Sequence, residues 1–295
     1  MALSLALAAL LKPGDEVVYT TPCYPSYLPQ IKIAEPDAQV RGVDLRRRDF
    51  SLDLDALAAA VTDKTRAVIL NSPHNPTGAM IGEGEAAALG EILREKDCYL
   101  ISDEIYEKLN FSGAAHISMG ARPGLAERTI TINGFSKAYS MTGWRIGYLT
   151  LPSPELTQTV SRLQQHMNTN TATFIQKAAL ATFDLPDHYI KDYNANLAAN
   201  AAALNAVADN AANLSLAPSK GGLFAFPDIS AGGLASDAFA SGLLEKYAVA
   251  ATPGIVFGPA WDSHVRVSLA IAEDEFAEGA ARLAQYANKL ATGES

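Results

Sequence analysis

The chain has 295 residues, 48% of them hydrophobic, with 32 acidic side chains against 23 basic ones and a formal charge of −9. That composition buries a sizeable core, leaves room for two domains and argues against disorder. It also argues against nucleic acid as a partner, because the basic run Arg46-Arg47-Arg48 is flanked by Asp44 and Asp49 and reads as a solvated turn. Cys23 and Cys98 stand far apart, outside any CxxC pattern, which suggests neither a disulfide framework nor a zinc site and favours a reducing compartment. The histidines show no metal-ligand spacing, so no metal is expected.

Taken in order, residues 1–11 are apolar, lack a basic leader and are too short to span a bilayer. Lys12-Pro-Gly-Asp15 stops them, which predicts a buried helix. A short strand over 16–20 leads into Thr21-Pro-Cys-Tyr-Pro-Ser-Tyr27. A second strand is expected at 39–43, a helix at 52–61 with Ser51 or Asp53 near its cap, and an apolar strand at 66–70. A helix over 83–96 and strands at 98–102, 129–132 and 146–150 continue the alternation, with Asn133 and Gly134 ending the strand at 129–132. The pattern is helical from 154 to 184, and again over 187–209 in an Ala- and Asn-rich stretch. Beyond it, strands at 222–226 and 264–270 mix with helices at 236–247 and 274–290. In the last helix Phe276, Ala280, Leu283, Ala287 and Leu290 form one apolar stripe. The fold class is therefore α/β: a mostly parallel sheet with helices on both faces, followed by a smaller α+β domain. The expected division is 1–186 for the large domain, 187–212 for a connecting helix and 213–295 for the small one.

Polar candidates cluster at strand ends. Tyr24, Asn75, Asp103–Tyr106 and Ser136–Lys137 each follow a strand, and open α/β sheets bind ligands outside the carboxyl ends of their strands. Lys137, beside a hydroxyl and ahead of Arg145, suits an amine held next to a phosphate that Ser136 and Arg145 grip. Arg145 precedes its strand, and a parallel crossover needs at least about 10–12 residues. The short gap after Lys137 thus predicts that the strand at 146–150 runs antiparallel. Asp103 points a carboxylate into the crevice, but an Asp in this position also suits a helix cap. Asn-Pro-Thr-Gly at 75–78 is by itself a plain turn, with His74 supporting it. Tyr24 and Tyr27 fit loop packing equally well, and Glu104 reads as solvent-facing or structural. Arg266, between Val265 and Val267, suits either bidentate binding of a carboxylate or a structural salt bridge.

Together, Asn71-Ser-Pro-His-Asn-Pro-Thr-Gly78, Ser102-Asp-Glu-Ile-Tyr106, the stretch from Thr129 to Leu149 and Val265-Arg-Val-Ser268 resemble the class I/II pyridoxal-phosphate-dependent aminotransferases of the aspartate-aminotransferase type. The likeness runs from Leu10 to the last helix. It implies transamination of an L-amino acid with a 2-oxo acid, by ping-pong kinetics, through a Schiff base of Lys137 with pyridoxal phosphate. Lys137 would also move the α-proton, Asp103 would keep the cofactor ring nitrogen protonated, and Asn75 and Tyr106 would bind its phenolic oxygen. Tyr24 would stack on the ring, and Ser136 and Arg145 would hold the phosphate. Arg266, with Asn75, would bind the substrate carboxylate, while Gly222, Phe224 and Phe257 would shape the side-chain pocket. A cytoplasmic homodimer without membrane or nucleic-acid partners is expected. The alternatives are a pyridoxal-dependent C–S lyase or synthase on the same scaffold, or a non-catalytic cofactor-binding module. The resemblance starts at the first helix of the large domain, so the expectation is an N-terminally shortened member with weak cofactor retention and low or no transamination.

Overall fold

The computed structural model describes residues 1–186 and 188–292. Its larger sheet is built from β1 (Glu16–Thr21), β2 (Gln39–Asp44), β3 (Thr65–Asn71), β4 (Tyr99–Asp103), β5 (Thr129–Gly134) and β6 (Gly147–Thr150). The spatial order is β2-β1-β3-β4-β5-β6. All neighbouring pairs are parallel except β5 with β6, which runs antiparallel as the spacing between Lys137 and Arg145 predicts. Successive strand residues face opposite sides of a sheet. Val18, Val68, Leu70 and Leu100 accordingly bury on one face, under α3 (Leu54–Ala60) and α4 (Glu83–Leu93). Val17, Ala67, Ile69, Ile101 and Ile130 bury on the other, under α1 (Ala2–Leu10), α2 (Tyr27–Ala34) and α5 (Pro154–Met167). Coverage of both faces explains why these strands read as continuous apolar runs.

After α6 (Thr173–Leu180) comes the long α7 (His188–Asp209), whose expected start at Asp187 lies outside the described residues. A smaller antiparallel sheet follows, made of β7 (Phe224–Ala225), β8 (Thr252–Pro253) and β9 (Val265–Ser268) in the order β7-β9-β8. Helices α8 (Ser236–Tyr247) and α9 (Glu273–Thr292) cover it. Phe276, Ala280, Leu283 and Ala287 are buried and Leu290 packs beside them, so the stripe faces inward and meets Leu197, Ala201 and Leu204 of α7. Tyr106, Leu109 and Ala138 join this same cluster, which seats the loops after β4 and β5 against the C-terminal part.

Several boundaries differ from expectation. Helix α2 was not anticipated within the aromatic, proline-rich segment. Its Pro29 occupies the first turn, where the missing N–H has no intrahelical partner to lose. Strand β5 runs on through Asn133 and Gly134 because Gly134 pairs with Gly147. A Cβ on Gly147 would meet the Asn133 carbonyl oxygen at 2.8 Å, so glycine permits the close antiparallel approach there. The helical stretch at 154–184 divides after Met167, and Thr169 adopts φ +60 in the break. Arg46-Arg47-Arg48 is not simply solvated: Arg47 lays its guanidinium 4.7 Å from the centre of the Trp261 ring.

Candidate active site

The parallel register aligns Asn71 with Asp103 and Asp103 with Ile132, so the ends of β3, β4 and β5 come to one edge. Asp103 Oδ2 accepts a 2.8 Å hydrogen bond from the Tyr27 hydroxyl, and Oδ1 accepts a longer one from the Ile105 amide at 3.3 Å. The segment after it is a turn and no helix starts there, so the cap reading of Asp103 survives only as that local bond. Burial raises its pKa, an effect the Tyr27 bond partly offsets. Asn71 braces the neighbourhood: its Nδ2 donates to the Asp103 carbonyl at 2.8 Å, and its Oδ1 accepts from the Asn75 amide at 2.7 Å. The sequence reads Tyr27 only as a loop-packing aromatic and gives Asn71 no role. The signal for Tyr27 was the aromatic spacing from Tyr24; for Asn71 it was a polar residue closing an apolar strand.

Lys137 follows β5 in a turn, half-buried, with its Nζ 5.8 Å from the centre of the Tyr106 ring. Among the described residues its side chain makes no hydrogen bond or ion pair. Burial lowers its pKa, the Arg266 and Arg145 guanidinium groups lower it further, and Asp103 opposes them. Four of the candidate groups are therefore within electrostatic reach of one another. The Tyr106 side chain is buried, and its hydroxyl, like that of Ser136, has no protein partner among the described residues. Arg145 is exposed, bonds only the Thr142 carbonyl (2.7 Å) among the described residues, and has φ +54. A non-glycine residue in the left-handed region costs energy, and such positions gather at functional turns.

Arg266 projects from β9. Its Nη1 donates to Asn75 Oδ1 at 3.1 Å and its Nη2 to Thr252 Oγ1 at 3.3 Å. The guanidinium lies 4.0 Å from the Phe224 ring centre and 4.9 Å from that of Phe257. No carboxylate stands within ion-pair distance among the described residues, so the salt-bridge reading of Arg266 is not realised. The guanidinium thus lies against two rings, with no carboxylate partner among the described residues. Asn75 itself is fixed by the turn it begins: Gly78 has φ +72, and a Cβ there would lie 2.6 Å from Ser219 Cβ.

Tyr24 is 42% exposed, with its ring set edge-on to Tyr27 at 5.6 Å. Gly222, at φ +77, lies in the turn leading to Phe224 beside Tyr106. Glu104 is not solvent-facing. It is buried and accepts from Ser102 Oγ at 2.8 Å and the Met119 amide at 3.1 Å, with His116 Nε2 at 3.1 Å. His74 is buried against Thr77 Oγ1 at 2.8 Å, and burial holds its pKa at about 4, so it supports the turn as a neutral ring.

Residues 1–283 match the protein family described as Aminotransferase class I and II. An aspartate aminotransferase of Musicola paradisiaca (strain Ech703) is 37% identical over 277 residues, which are 91% of this chain and 67% of that protein. An arginine–pyruvate transaminase of Pseudomonas aeruginosa is 35% identical over 291 residues, 98% of this chain and 73% of that one. The solved aspartate aminotransferase of Rhizobium meliloti superposes with a TM-score of 0.90 at 30% identity, covering 97% of this chain and 74% of that chain.

Proposed function

The chain belongs to the class I and II aminotransferases, and from that premise we propose which of its residues perform the reaction. The enzyme transfers the amino group of an amino acid to a 2-oxo acid by means of pyridoxal phosphate. The residues present fit that cofactor. A partly buried carboxylate (Asp103) matches a protonated ring nitrogen, an amine that has no acceptor among the described residues (Lys137) matches an aldehyde, and the Tyr106 hydroxyl matches a phenolic oxygen. Ser136 and Arg145, which lack acidic partners, suit the phosphate, and Tyr24 offers a face to the ring. When bound, the cofactor supplies an electron sink for the pair left on the substrate α-carbon.

The rest falls to the protein. Lys137 is the base that takes and returns the α-proton, and it needs a neutral amine for that; burial and the two nearby guanidinium groups favour neutrality. Asp103 holds a proton on the ring nitrogen, kept in position by Tyr27. Arg266 orients the substrate through its α-carboxylate, with Asn75 completing the contact, so that the α-proton faces Lys137. The same site serves amino acid and oxo acid in turn, which gives ping-pong kinetics.

The observation that carries this reading is Arg266: a half-buried guanidinium, already shaped by Asn75, Thr252, Phe224 and Phe257, that lacks a carboxylate. Arg266→Lys keeps the charge and loses the planar fork. Its loss of a charge-assisted bond is worth about 1.5–3 kcal/mol, a rise of roughly tenfold to a hundredfold in KM for both substrates. Steady-state kinetics with each substrate varied, beside a cofactor titration, checks this; an unchanged KM for both would make Arg266 a structural residue.

We place the enzyme in the cytoplasm, since its thiols are unpaired and buried, as a reducing compartment favours. Among the described residues no helix is long and apolar enough to cross a membrane. We also propose a homodimer. Phe183, 69% exposed, contacts Phe135, which in turn contacts the exposed Tyr148, and such joined apolar surface favours a second copy. Analytical ultracentrifugation distinguishes this dimer from a monomer.

A further inference from the structure

A half-open cleft of about 250 Å³ lies between the loop after β2 and the strands of the C-terminal part, and none of its lining residues belongs to the site described above. Its floor is aromatic. Phe50, Phe226 and His264 are all buried, with His264 stacked on Phe226 at 4.8 Å and Phe50 within 6.0 Å of both rings. The charges on its walls differ in kind. Arg47 is committed to the Ala260 carbonyl, Ser263 Oγ and the face of Trp261. Arg48 is exposed and makes no hydrogen bond or ion pair among the described residues. On the C-terminal side stands Asp228, paired by backbone bridges with Ser215 and His264. One carboxylate oxygen of Asp228 accepts from the Ser230 amide at 2.7 Å, and the other is 3.8 Å from His264 Nε2. Burial holds the His264 pKa at about 4, so at neutral pH that ring does not cancel the Asp228 charge.

The cleft thus offers a free guanidinium and a carboxylate above an apolar floor. A ligand of one sign would satisfy only one wall and face the other's charge. A ligand carrying both charges and an apolar side chain satisfies all three surfaces. The volume lies below the range of about 300–1,000 Å³ usual for drug-sized ligands, which limits the occupant to a small metabolite. We propose that this cleft is a second binding site, for a free α-amino acid held as its zwitterion. Its carboxylate lies on Arg48, its ammonium on Asp228, and its side chain over Phe50 and Phe226. The site is joined to the first through packed rings: Phe226 touches Phe257 at 5.6 Å, and Phe257 lies against Arg266.

The chain carries its own reporter. Trp261 packs 5.2 Å from His264, and the second of its two tryptophans, Trp144, sits in the turn before β6. In Trp144→Phe holoenzyme, emission therefore comes from Trp261. Titration with α-methyl-L-leucine, which has no α-proton to lose, should give a saturable emission change. Isocaproate and isoamylamine, each carrying one of the two charges, should bind at least tenfold more weakly. Arg48→Ala and Asp228→Asn in the same background should each weaken the amino acid at least tenfold. Both variants should fold, because Arg48 is exposed and Asn keeps the acceptor for the Ser230 amide; melting curves check this. Cofactor absorbance in the same titration reports the first site. An emission change that only tracks that absorbance, or survives either variant, overturns the proposal. So does equal binding of a one-charge analogue, or the absence of a second binding event by both emission and calorimetry.

Discussion

At the scale of residues, the site is a set of groups whose charges are arranged but unmet. Asp103 is partly buried in a setting that disfavours its charge, and Tyr27 is the donor that steadies it. Removing that hydroxyl leaves a partly buried acceptor short of one bond, which costs about 1–3 kcal/mol. Tyr27→Phe should therefore lower turnover by roughly tenfold or more, through a carboxylate less able to keep the ring nitrogen protonated, while cofactor binding changes little. Parallel measurement of kcat and of the cofactor dissociation constant checks this. An unchanged kcat would make the contact mere packing. Lys137 gives a pH prediction with a definite sign. Only the neutral amine takes up an aldehyde, and burial with two nearby guanidinium groups places its pKa below the ordinary 10.5. The rate of cofactor attachment to the cofactor-free chain should rise with pH, with a midpoint below that value. Arg266→Gln removes one cation, makes the ammonium easier to keep and should move the midpoint to higher pH. A shift to lower pH would contradict this assignment of the field.

At the scale of elements, strand ends explain how much could be read without coordinates. Apolar runs bounded by breakers located β1, β3, β4 and β5, and the short connection from Lys137 to Arg145 forced β6 to be antiparallel. Because ligands gather at the carboxyl ends of such strands, Asn75, Asp103 and Lys137 could be grouped before any distance was known. What stayed hidden depends on contacts across the chain. Tyr27 reaches Asp103 only because α2 folds back over the sheet, and no local pattern announces a short helix containing Pro29. Thr252 and Phe224 clamp Arg266 through the pairing of β7 and β8 with β9, which are two- and four-residue strands too brief to carry a period. Glu104 sits one residue past its strand end, yet its burial is set by Ser102, Met119 and His116 around it. The last helix was legible because its stripe is regular. Leu283, 1% exposed in that stripe, should cost about 2–5 kcal/mol when cut to Ala, read as a lower denaturant midpoint with unchanged slope. A cost under about 0.5 kcal/mol, the usual scale of surface changes, would mean α9 does not anchor the C-terminal part.

At the scale of the whole molecule, the function we propose draws on residues carried by both sheets. The larger sheet supplies the amine, the carboxylate and the turn that begins at Asn75; the smaller sheet supplies the guanidinium. The loops after β4 and β5 pack into the C-terminal cluster through Tyr106, Leu109 and Ala138, which brings the two contributions together. Everything in this account converges on one amine. The most direct test is to incubate the chain with pyridoxal phosphate, reduce it with borohydride, and map the labelled peptide by mass spectrometry. The account predicts stoichiometric label on Lys137, and its loss together with transamination in Lys137→Ala. Label on Lys108 or Lys220, or amino-group transfer that persists in Lys137→Ala, would contradict it.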